Sequence, residues 1–282
     1  MTQTLLILGA TGQQGGATID ALLADKRGRE IKALVRNPAS KGAQALERRG
    51  VALVKGDLDD AASVERAMQG VYGVYSMQTP LEGGPEREER QGKMVADAAS
   101  KAGVKHFVYS SVAGSDRHSG VPHFESKGRV EQHIAQLGLP ATILRPVLFM
   151  DNFNTFQFRT IMLAMFRTYV AEDSKVQMVA TADIGRLAAE AFNDPDRYIG
   201  QAIELAGDAV TRKELVHAMR KAGLKPAVSL KVPSFLQGKV PAEYKIMMRW
   251  IANSGFQADI PALRSQHRDL ITVPEWARRV AA

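Results

Sequence analysis

Short apolar runs alternate with amphipathic segments along the first half of the chain. The apolar runs have the length of β-strands, and they occupy residues 5–8, 31–35, 51–55, 74–77, 106–110 and 141–145. Between them, apolar residues recur at helical spacing, at residues 17–23, 42–49, 64–68, 86–102 and 121–136. Strands that alternate with helices in this way form parallel sheets with right-handed crossovers. We therefore predict an α/β fold with a doubly wound, parallel sheet of the Rossmann type.

The alternation weakens beyond about residue 151. The later part has helical patterns and strand-like runs, the helices at residues 182–192 and 242–252 and the strands at 201–205 and 227–232. Thr211 and Glu214 have the spacing of a capping box before another helix. We predict a first domain over residues 1–150 and a smaller α+β cap over residues 151–282. The cap is intertwined with the first domain and contributes to a substrate or partner site.

The first apolar run leads into a glycine-rich turn and then into a helical segment. Gly9, Gly12 and Gly15 have the spacing G-x-x-G-x-x-G, a variant of the dinucleotide-binding fingerprint. We expect Gly9 to allow the tight turn, Gly12 to let the backbone approach a pyrophosphate and Gly15 to let the helix pack closely on the strand. The free N–H groups of the helix N-terminus would bind the phosphates. The predicted cofactor contacts are Gly9, Thr11, Gly12, Gln13, Gln14 and Gly15. The alternative is an ordinary strand–helix turn that binds no nucleotide.

Arg36 follows the second predicted strand, about 20 residues beyond the glycines. At this place NAD-binding proteins have an acidic residue that hydrogen-bonds the adenosine 2′-hydroxyl. A guanidinium group instead suits a 2′-phosphate, and a position without a carboxylate avoids repelling it. The chain is thus expected to bind NADP(H) in preference to NAD(H). The alternative is a surface arginine at a strand end.

The loops after the third and fourth predicted strands contain the other candidate contacts. In a doubly wound sheet, ligands bind at the carboxyl ends of the strands. This rule places Asp57 and Leu58 beside an adenine pocket. It places Gln78 and Thr79 near the pyrophosphate or the nicotinamide ribose. Residues 81–85 contain two glycines and a proline, and we expect a flexible loop there, a candidate lid over the cofactor.

Composition narrows the class of protein. The chain has 282 residues, of which 45% are apolar and 24% are charged, as in an ordinary globular protein. It has no cysteine, which excludes disulfides, thiol-based redox switching and cysteine nucleophiles. The net charge is +7, but the lysines and arginines are spread along the chain and form no basic cluster, so we expect no nucleic-acid partner. We also expect no metal site, no membrane segment and a cytoplasmic location.

Seven stretches of the chain, in order, carry a resemblance to a known family: residues 9–16, 35–38, 56–60, 91–93, 123–128, 145–153 and 182–185. They resemble the NmrA-like family, an atypical branch of the short-chain dehydrogenases/reductases that includes quinone reductases and a redox sensor. The resemblance extends over about two thirds of the chain and implies an NAD(P)-binding domain over residues 1–150. It also implies NADP contacts that the patterns above do not reach, at Lys93, Lys127, Phe149, Met150, Asp151 and Asn152.

The chain departs from the wider superfamily at its catalytic residues. A standard short-chain dehydrogenase has a serine after the fifth strand and Tyr-x-x-x-Lys on the next helix, where the lysine lowers the pKa of the tyrosine. Ser110 or Ser111 and Lys127 match in position, but His123 stands in the place of the tyrosine. Lys127 is therefore expected to bond the nicotinamide ribose. His123 is either a proton donor near neutral pH or a histidine without a catalytic task.

Two functions fit this pattern. The first is an NADPH-dependent reductase of quinone- or enone-type small molecules, for which a protein acid is dispensable because water can protonate the product. The second is a non-catalytic NADP(H) redox sensor that acts through a protein partner. Since the chain has no cysteine, the signal of such a sensor would have to come from cofactor binding. The sequence leaves enzyme status open, and it leaves a homodimer open as well.

Overall fold

The computed structural model describes residues 3–225 and 230–281, which form two sheets with helices packed around them. In chain order the strands are β1 (Thr4–Ile7), β2 (Glu30–Val35), β3 (Ala52–Lys55), β4 (Gly73–Ser76), β5 (His106–Ser110), β6 (Ala141–Pro146), β7 (Leu148–Phe149), β8 (Val176–Val179), β9 (Ala202–Leu205) and β10 (Asp208–Val210). The helices are α1 (Gln13–Ala24), α2 (Lys41–Glu47), α3 (Ala61–Ala67), α4 (Gly84–Lys101), α5 (Pro122–Gln136), α6 (Phe156–Tyr169), α7 (Thr181–Asn193), α8 (Pro195–Tyr198), α9 (Arg212–Lys221), α10 (Ser234–Gln237), α11 (Ala242–Asn253), α12 (Ile260–Gln266) and α13 (Val273–Ala281). A 3₁₀ turn covers Met150–Phe153.

Seven parallel strands form the main sheet, in the order β3-β2-β1-β4-β5-β6-β9. The order reverses at β1, which pairs with both β2 and β4. In sheets of this kind, ligands bind in the crevice outside the carboxyl ends of the strands at the point of reversal. The predicted Rossmann-type fold is confirmed, and its reversal point lies at the glycine-rich turn that follows β1.

Helices cover both faces of the main sheet, and β1 is therefore apolar on both sides. Leu5 and Ile7 belong to the core that α1, α2 and α7 form on one face. The alternate residues Leu6 and Leu8 belong to the core that α3, α4 and α5 form on the other face. Because side chains alternate between the faces of a strand, a run that is apolar throughout is typical of a central strand in such a sheet.

Parts of the chain beyond residue 150 belong to these main layers. Strand β9 is the edge strand beside β6. Helix α7 packs on α1 so closely that a Cβ at Gly185 would lie 2.3 Å from the carbonyl oxygen of Ala17. The division into residues 1–150 and 151–282 stays a prediction, and α7 and β9 are the elements through which the two parts interleave.

The cap is built on the second sheet, of order β10-β8-β7. Strand β8 is parallel to β7 and antiparallel to β10. With helices α6, α9, α11 and α13, this sheet encloses a separate apolar core, whose large side chains include Phe153, Phe166, Trp250 and Trp276.

Most of the elements predicted for the later part are present. The helices at residues 182–192 and 242–252 correspond to α7 and α11, and the strand at 201–205 corresponds to β9. The predicted strand at 227–232 falls partly outside the described residues, and residues 230–232 are not in a strand. Among the helices that the structure describes, none is both long and apolar enough to cross a membrane.

Candidate functional site

The glycine-rich turn joins β1 to α1 at the carboxyl edge of the main sheet. Gly9 has a φ of +62°, and a Cβ there would lie 2.5 Å from Sδ of Met77. A Cβ at Gly15 would lie 2.3 Å from the carbonyl oxygen of Gly9, so only glycine lets α1 approach the turn this closely. The structure gives Gly9 the tight turn and Gly15 the close packing expected of them. Their contact with a cofactor stays a prediction.

The N-terminus of α1 is open at the end of this turn. Gly12 is the N-cap residue, no side chain caps the helix, and the first helical turn has no acidic residue. Thr11, Gly12 and Gln13 are exposed, and the Gly12 N–H donates to the Gly9 carbonyl at 2.9 Å. Free N–H groups and the partial positive charge of a helix N-terminus suit an anion such as a pyrophosphate. The residues present therefore fit a dinucleotide at this turn.

Gln14 links the glycine-rich turn to β4 and β5, the two strands that follow β1 in the sheet. Its Oε1 accepts hydrogen bonds from Tyr75 Oη at 3.2 Å and from Ser110 Oγ at 2.6 Å. Burial raises the pKa of Tyr75 to about 12, so its hydroxyl stays a donor at neutral pH. Ser111, the other candidate serine, donates to Glu131 instead. The amide oxygen of Gln14 is thus engaged within the protein, and a cofactor contact by Gln14 stays a prediction.

Arg36 lies just after β2 in a charged network that joins three loops of the carboxyl edge. Its guanidinium donates to both carboxylate oxygens of Glu82, at 2.9 and 3.2 Å. Arg87 donates to the carbonyl of Glu82 and to Asp59, where the Nη2–Oδ2 distance is 2.5 Å. Hydrogen bonds from Arg36 and Arg87 lower the pKa values of Glu82 and Asp59, respectively, so both carboxylates are ionised at neutral pH. The loop at residues 81–84 is thereby tied to the loops after β2 and β3.

Asp57 and Leu58 lie in the loop after β3, where an adenine pocket is predicted. The Asp57 N–H donates to Ser63 Oγ at 3.0 Å, and the Asp57 carboxylate accepts from the Asp59 N–H at 3.0 Å. Leu58 is partly buried against the core that contains α3 and α4. Asp60 caps α3 by accepting from the Ser63 N–H at 3.2 Å. The loop is shaped by its own hydrogen bonds, and the adenine contacts of Asp57 and Leu58 stay predictions.

Lys127 is held at the carboxyl ends of β4 and β5. Its Nζ donates to the Gln78 carbonyl at 3.2 Å and to the Ser110 carbonyl at 3.3 Å. Oε1 of Glu88, on α4, lies 3.1 Å from the same Nζ. Glu88 is completely buried, and its other oxygen accepts from Ser126 Oγ at 2.6 Å. Lys127 and Glu88 form a buried ion pair beside the predicted position of the nicotinamide ribose.

Gln78 and Thr79 connect β4 to the loop that carries Glu82. Gln78 is buried, and its Nε2 donates to Ser76 Oγ at 3.0 Å. Thr79 Oγ1 accepts from the Leu81 N–H at 3.3 Å. Both residues follow β4, the strand beside β1, and the Gln78 carbonyl contacts Lys127. Their contacts with the pyrophosphate or the ribose stay predictions.

His123 lies one helical turn before Lys127 on α5 and faces the cap. Its Nδ1 lies 2.6 Å from Oε1 of Glu243, at the start of α11. Burial lowers the pKa of His123, and this effect outweighs the hydrogen bond and charge of Glu243, which raise it. A neutral imidazole that donates from Nδ1 to the carboxylate is the tautomer that this contact favours. His123 thus links α5 to the cap, and its role as a proton donor stays a prediction.

Lys93 lies on the outer face of α4, away from the contacts described above. Its Nζ is 2.6 Å from Oε1 of Glu89, and the Oε2 of Glu89 accepts from Nε of Arg129 at 2.6 Å. A surface groove of about 480 Å³ runs beside it, lined by Glu86, Glu89, Arg90, Lys93, Met94 and Asp97. The three carboxylates of this groove disfavour a phosphate group there. The NADP contact of Lys93 stays a prediction. The contacts of Lys93 described here do not include a residue of the glycine-rich turn.

Residues 149–152 run from β7 into the 3₁₀ turn at the base of the cap. Met150 is completely buried in the core of the cap. Asp151 accepts from the Thr181 N–H at 2.8 Å and so caps the start of α7. Phe149 and Asn152 are half-buried. Cofactor contacts of these four residues stay predictions, and Met150 exposes no surface with which to make one.

The charged residues that shape this edge and were not among the predicted ones include Glu82, Arg87, Glu88 and Glu243. Glu88 had a signal in the sequence, because it shares the buried face of α4 with Val95, where a carboxylate is out of place. Glu82 and Glu243 had none, since their partners lie 46 and 120 residues away in the chain. Such pairs follow from the topology of the sheet and the docking of the cap.

Comparison with known proteins places the chain in a family. The sequence model of the NmrA-like family matches residues 1–255. An NmrA-like family domain-containing protein of Dictyostelium discoideum is 30% identical over 236 residues, which are 78% of this chain and 78% of that protein. Quinone oxidoreductase 2 of Escherichia coli (strain K12) is 30% identical over 205 residues, which are 73% of this chain and 69% of that protein.

Solved structures share the fold over the whole chain. An NADPH-dependent quinone oxidoreductase of Escherichia coli, complexed with NADPH, has a TM-score of 0.81 at 24% identity, over 99% of this chain and 100% of that one. The negative transcriptional regulator NmrA, in complex with NADP, has a TM-score of 0.78 at 22% identity, over 99% of this chain and 95% of that one. At these identities the likeness to solved structures supports the fold alone, and the sequence match decides the family. The chain belongs to the NmrA-like family.

Proposed function

We propose that the chain is an NADPH-dependent reductase of quinone- or enone-type small molecules. The observation that carries this proposal is a row of groups along the carboxyl edge of the main sheet. Arg36 follows β2, the open glycine-rich turn follows β1, and Lys127 lies at the ends of β4 and β5. A dinucleotide along this edge would meet a guanidinium for its 2′-phosphate, N–H groups for its pyrophosphate and an ammonium for its nicotinamide ribose.

The activities for which several relatives are named agree with this proposal. One relative is a quinone oxidoreductase, and a solved neighbour is an NADPH-dependent quinone oxidoreductase complexed with NADPH. A further relative is an NAD(P)H azoreductase of Xenophilus azovorans, which is 30% identical over 223 residues, 79% of this chain and 74% of that protein. When bound, the nicotinamide supplies a hydride, and the protein has to position it and shield it from water.

Lys127 would orient the nicotinamide ribose. Its ammonium is held by two carbonyl groups at 3.2 and 3.3 Å, and both distances are at the long end for hydrogen bonds. A ribose hydroxyl can therefore replace either carbonyl without loss of a strong bond. Glu88 keeps the charge of the ammonium compensated throughout, because it lies 3.1 Å away in the protein interior. Lys127 then needs no rearrangement of its own to receive the ribose.

Phe124, three residues before Lys127 on α5, belongs to an aromatic cluster that joins this helix to the cap. Phe124 on α5 packs edge-on against Trp250 on α11, with ring centroids 5.2 Å apart. Phe256 packs edge-on against Trp250 at 5.3 Å. Phe124 and Trp250 are buried and keep water out from between α5 and the cap, so a site beside them would favour a planar, apolar substrate. A quinone or an enone has this character.

No protein acid takes the place of the missing tyrosine in this proposal. The pKa of His123 is lowered, mainly by burial, so its imidazole is neutral at pH 7, and it donates from Nδ1 to Glu243. A neutral imidazole of this tautomer has an acceptor at Nε2 and is poorly suited to donate a proton. Reduction of a quinone tolerates this lack, because the oxyanion of the product is basic only weakly and water can protonate it. His123 then serves to join α5 to α11.

The test is oxidation of NADPH, followed by absorbance, against a panel of quinones, enones and aldehydes. We expect turnover with quinones or enones and none with aldehydes, and slower turnover when NADH replaces NADPH. Arg36→Ala should raise the KM for NADPH and leave the KM for NADH unchanged. Arg66→Ala, which removes an exposed arginine from α3, is the matched control and should change neither value. Absence of turnover across the panel by a protein that binds NADPH would overturn the reductase.

The second candidate function is a non-catalytic NADP(H) sensor that acts through a protein partner or a second copy of the chain. One observation favours it: three large apolar side chains at the start of α6 are exposed, namely Phe156, Phe158 and Ile161. A patch of this kind is typical of a surface that binds another protein. Gel filtration and limited proteolysis with and without NADP(H) test this candidate. Identical elution and identical cleavage would leave the sensor without a mechanism.

A further inference from the structure

We propose that Glu82 is a specificity-determining residue, whose carboxylate competes with the 2′-phosphate of NADP(H) for Arg36 and accepts a hydrogen bond from the 2′-hydroxyl of NAD(H). The inference deepens the proposed function and rests on it. It predicts a site that accepts both coenzymes, with a preference for NADP(H) that Glu82 keeps small.

The geometry of the pair shows why the two anions compete. Nη1 and Nη2 of Arg36 each donate to a different oxygen of Glu82, at 2.9 and 3.2 Å. This edge of the guanidinium plane is the one that binds a phosphate with two parallel hydrogen bonds. A 2′-phosphate can take it only if the Glu82 carboxylate moves away. The carboxylate, if it stayed nearby, would also repel the phosphate.

The topology puts the pair across the cofactor edge. Arg36 follows β2, Glu82 lies in the loop after β4, and β1 with its glycine-rich turn lies between these two strands in the sheet. The adenosine ribose of a dinucleotide that binds at the turn would lie beside the end of β2. Glu82 therefore occupies the region where NAD-binding proteins have an acidic residue, although it comes from a different strand. A carboxylate there is an acceptor for the 2′-hydroxyl.

The backbone at Glu82 is fixed independently of Arg36. Gly83 and Gly84 both have positive φ, at +100° and +81°, and form the turn into α4. Arg87 donates to the Glu82 carbonyl while its guanidinium is also bonded to Asp59. The loop thus presents the Glu82 side chain to Arg36 even after the ion pair opens. Displacement by a phosphate would move a side chain and leave the loop in place, so it is cheap and reversible.

The exposure of the pair sets the size of the effect. The side chains of Arg36 and Glu82 are 64% and 52% exposed. Exposed ion pairs contribute little free energy, so their loss changes a binding constant by about two- to fivefold. We expect Glu82→Gln to tighten NADPH binding by this factor and not to tighten NADH binding. The ratio of the two affinities should therefore rise at least twofold.

The experiment is calorimetric titration of the full chain with NADPH and with NADH at one fixed salt concentration. The variants are Glu82→Gln and, as the matched control, Glu86→Gln, which removes an exposed carboxylate four residues along the same segment. An affinity ratio that rises in Glu82→Gln and not in Glu86→Gln supports the inference. An equal ratio in the parent and both variants overturns it.

Arg36→Ala separates failure of this inference from failure of the proposed function. If the proposed site is right, Arg36→Ala weakens NADPH binding whatever residue stands at position 82. If NADPH binds equally well with and without Arg36, the proposed 2′-phosphate site is wrong and the role of Glu82 is wrong with it. If Arg36→Ala weakens binding while Glu82→Gln changes nothing, only the competition is wrong.

Discussion

The two ends of the proposed cofactor site each contain a carboxylate paired with a cation, and the two pairs differ in burial. The side chains of Arg36 and Glu82 are 64% and 52% exposed, whereas those of Lys127 and Glu88 are 10% and 0% exposed. Water solvates both partners of an exposed pair after it opens, so such a pair contributes little to stability. A buried pair that loses one partner leaves a charge without water or counter-ion. We therefore expect the Arg36–Glu82 pair to open at small cost, and the Lys127–Glu88 pair to stay closed.

Removal of Glu88 should have the largest effect, because it leaves the buried pair with one partner. Glu88→Ala would leave the Lys127 ammonium buried without its counter-ion and Ser126 without its acceptor. We expect the free energy of unfolding to fall by roughly 3–5 kcal/mol, measured by urea denaturation. Glu89→Ala is the matched control on the same helix, since Glu89 pairs with Lys93 and Arg129 near the surface. It should cost about 1 kcal/mol or less. Equal losses in the two variants would contradict the difference in burial.

His106 shows what burial alone does, because it is a buried ionisable group whose hydrogen-bond partner is uncharged. It lies at the amino end of β5, at the other end of the strand from Ser110, and is completely buried. Thr142 Oγ1 donates to the Tyr198 carbonyl and so accepts from Nε2 of His106, while Nδ1 has no partner among the described residues. Burial and, to a smaller extent, the charge of the nearby Arg29 together lower the pKa of His106 to about 4.

The sign of the resulting pH dependence follows from proton binding. Between the lowered pKa and the ordinary value of 6.5, the unfolded chain binds a proton that the folded chain does not. The stability that His106 contributes is thus complete above about pH 6.5 and is lost as the pH falls towards 4. We expect a loss of about 2 kcal/mol between pH 7 and pH 5, measured by urea denaturation. His106→Gln should reduce this loss, whereas the control His217→Gln, at an exposed position on α9, should not.

The glycine-rich turn between the two ends belongs to the fixed part of the site. A Cβ at Gly15 would lie 2.3 Å from a backbone oxygen, so Gly15→Ala forces α1 away from β1. We expect a loss of about 1–3 kcal/mol and weaker NADPH binding, measured by thermal unfolding and by titration. Gly16→Ala is the control, because a Cβ there would lie 3.7 Å from its nearest neighbour, an ordinary contact. A parent-like Gly15→Ala protein would show that the turn adjusts as readily as the Arg36 end.

The sequence predicted the parts of this protein that depend on local pattern. The six strands of the first half, the glycine-rich turn and the start of α1 are each encoded within a few consecutive residues, and all are present in the structure. The capping box at Thr211 and Glu214 is also local, and both of its hydrogen bonds are present. Periodicity and spacing are enough to predict such features, because each depends on residues that are neighbours in the sequence.

The site was predicted less completely, because its ion pairs join distant parts of the chain. Glu82 meets Arg36 because the sheet order brings the carboxyl ends of β2 and β4 to the same edge, with only β1 between them. Glu243 meets His123 only because α11 docks on α5, and no pattern near either residue indicates that contact. Spacing indicated Arg36 and the family resemblance indicated Lys127, and both lie at the carboxyl edge of the sheet. Neither indicated that each of these cations is paired with a carboxylate.

The smallest expected effect concerns the stability contributed by the Arg36–Glu82 pair. Glu82→Gln should change the free energy of unfolding by less than about 1 kcal/mol, because both side chains are exposed and water replaces the lost bonds. The difference between the parent and Glu82→Gln should become smaller still at high salt, since salt screens this exposed pair. A loss as large as that of Glu88→Ala would mean that the pair holds the loop at residues 81–84 in place. The Arg36 end would then be as fixed as the Lys127 end, and a 2′-phosphate could not displace Glu82 at small cost.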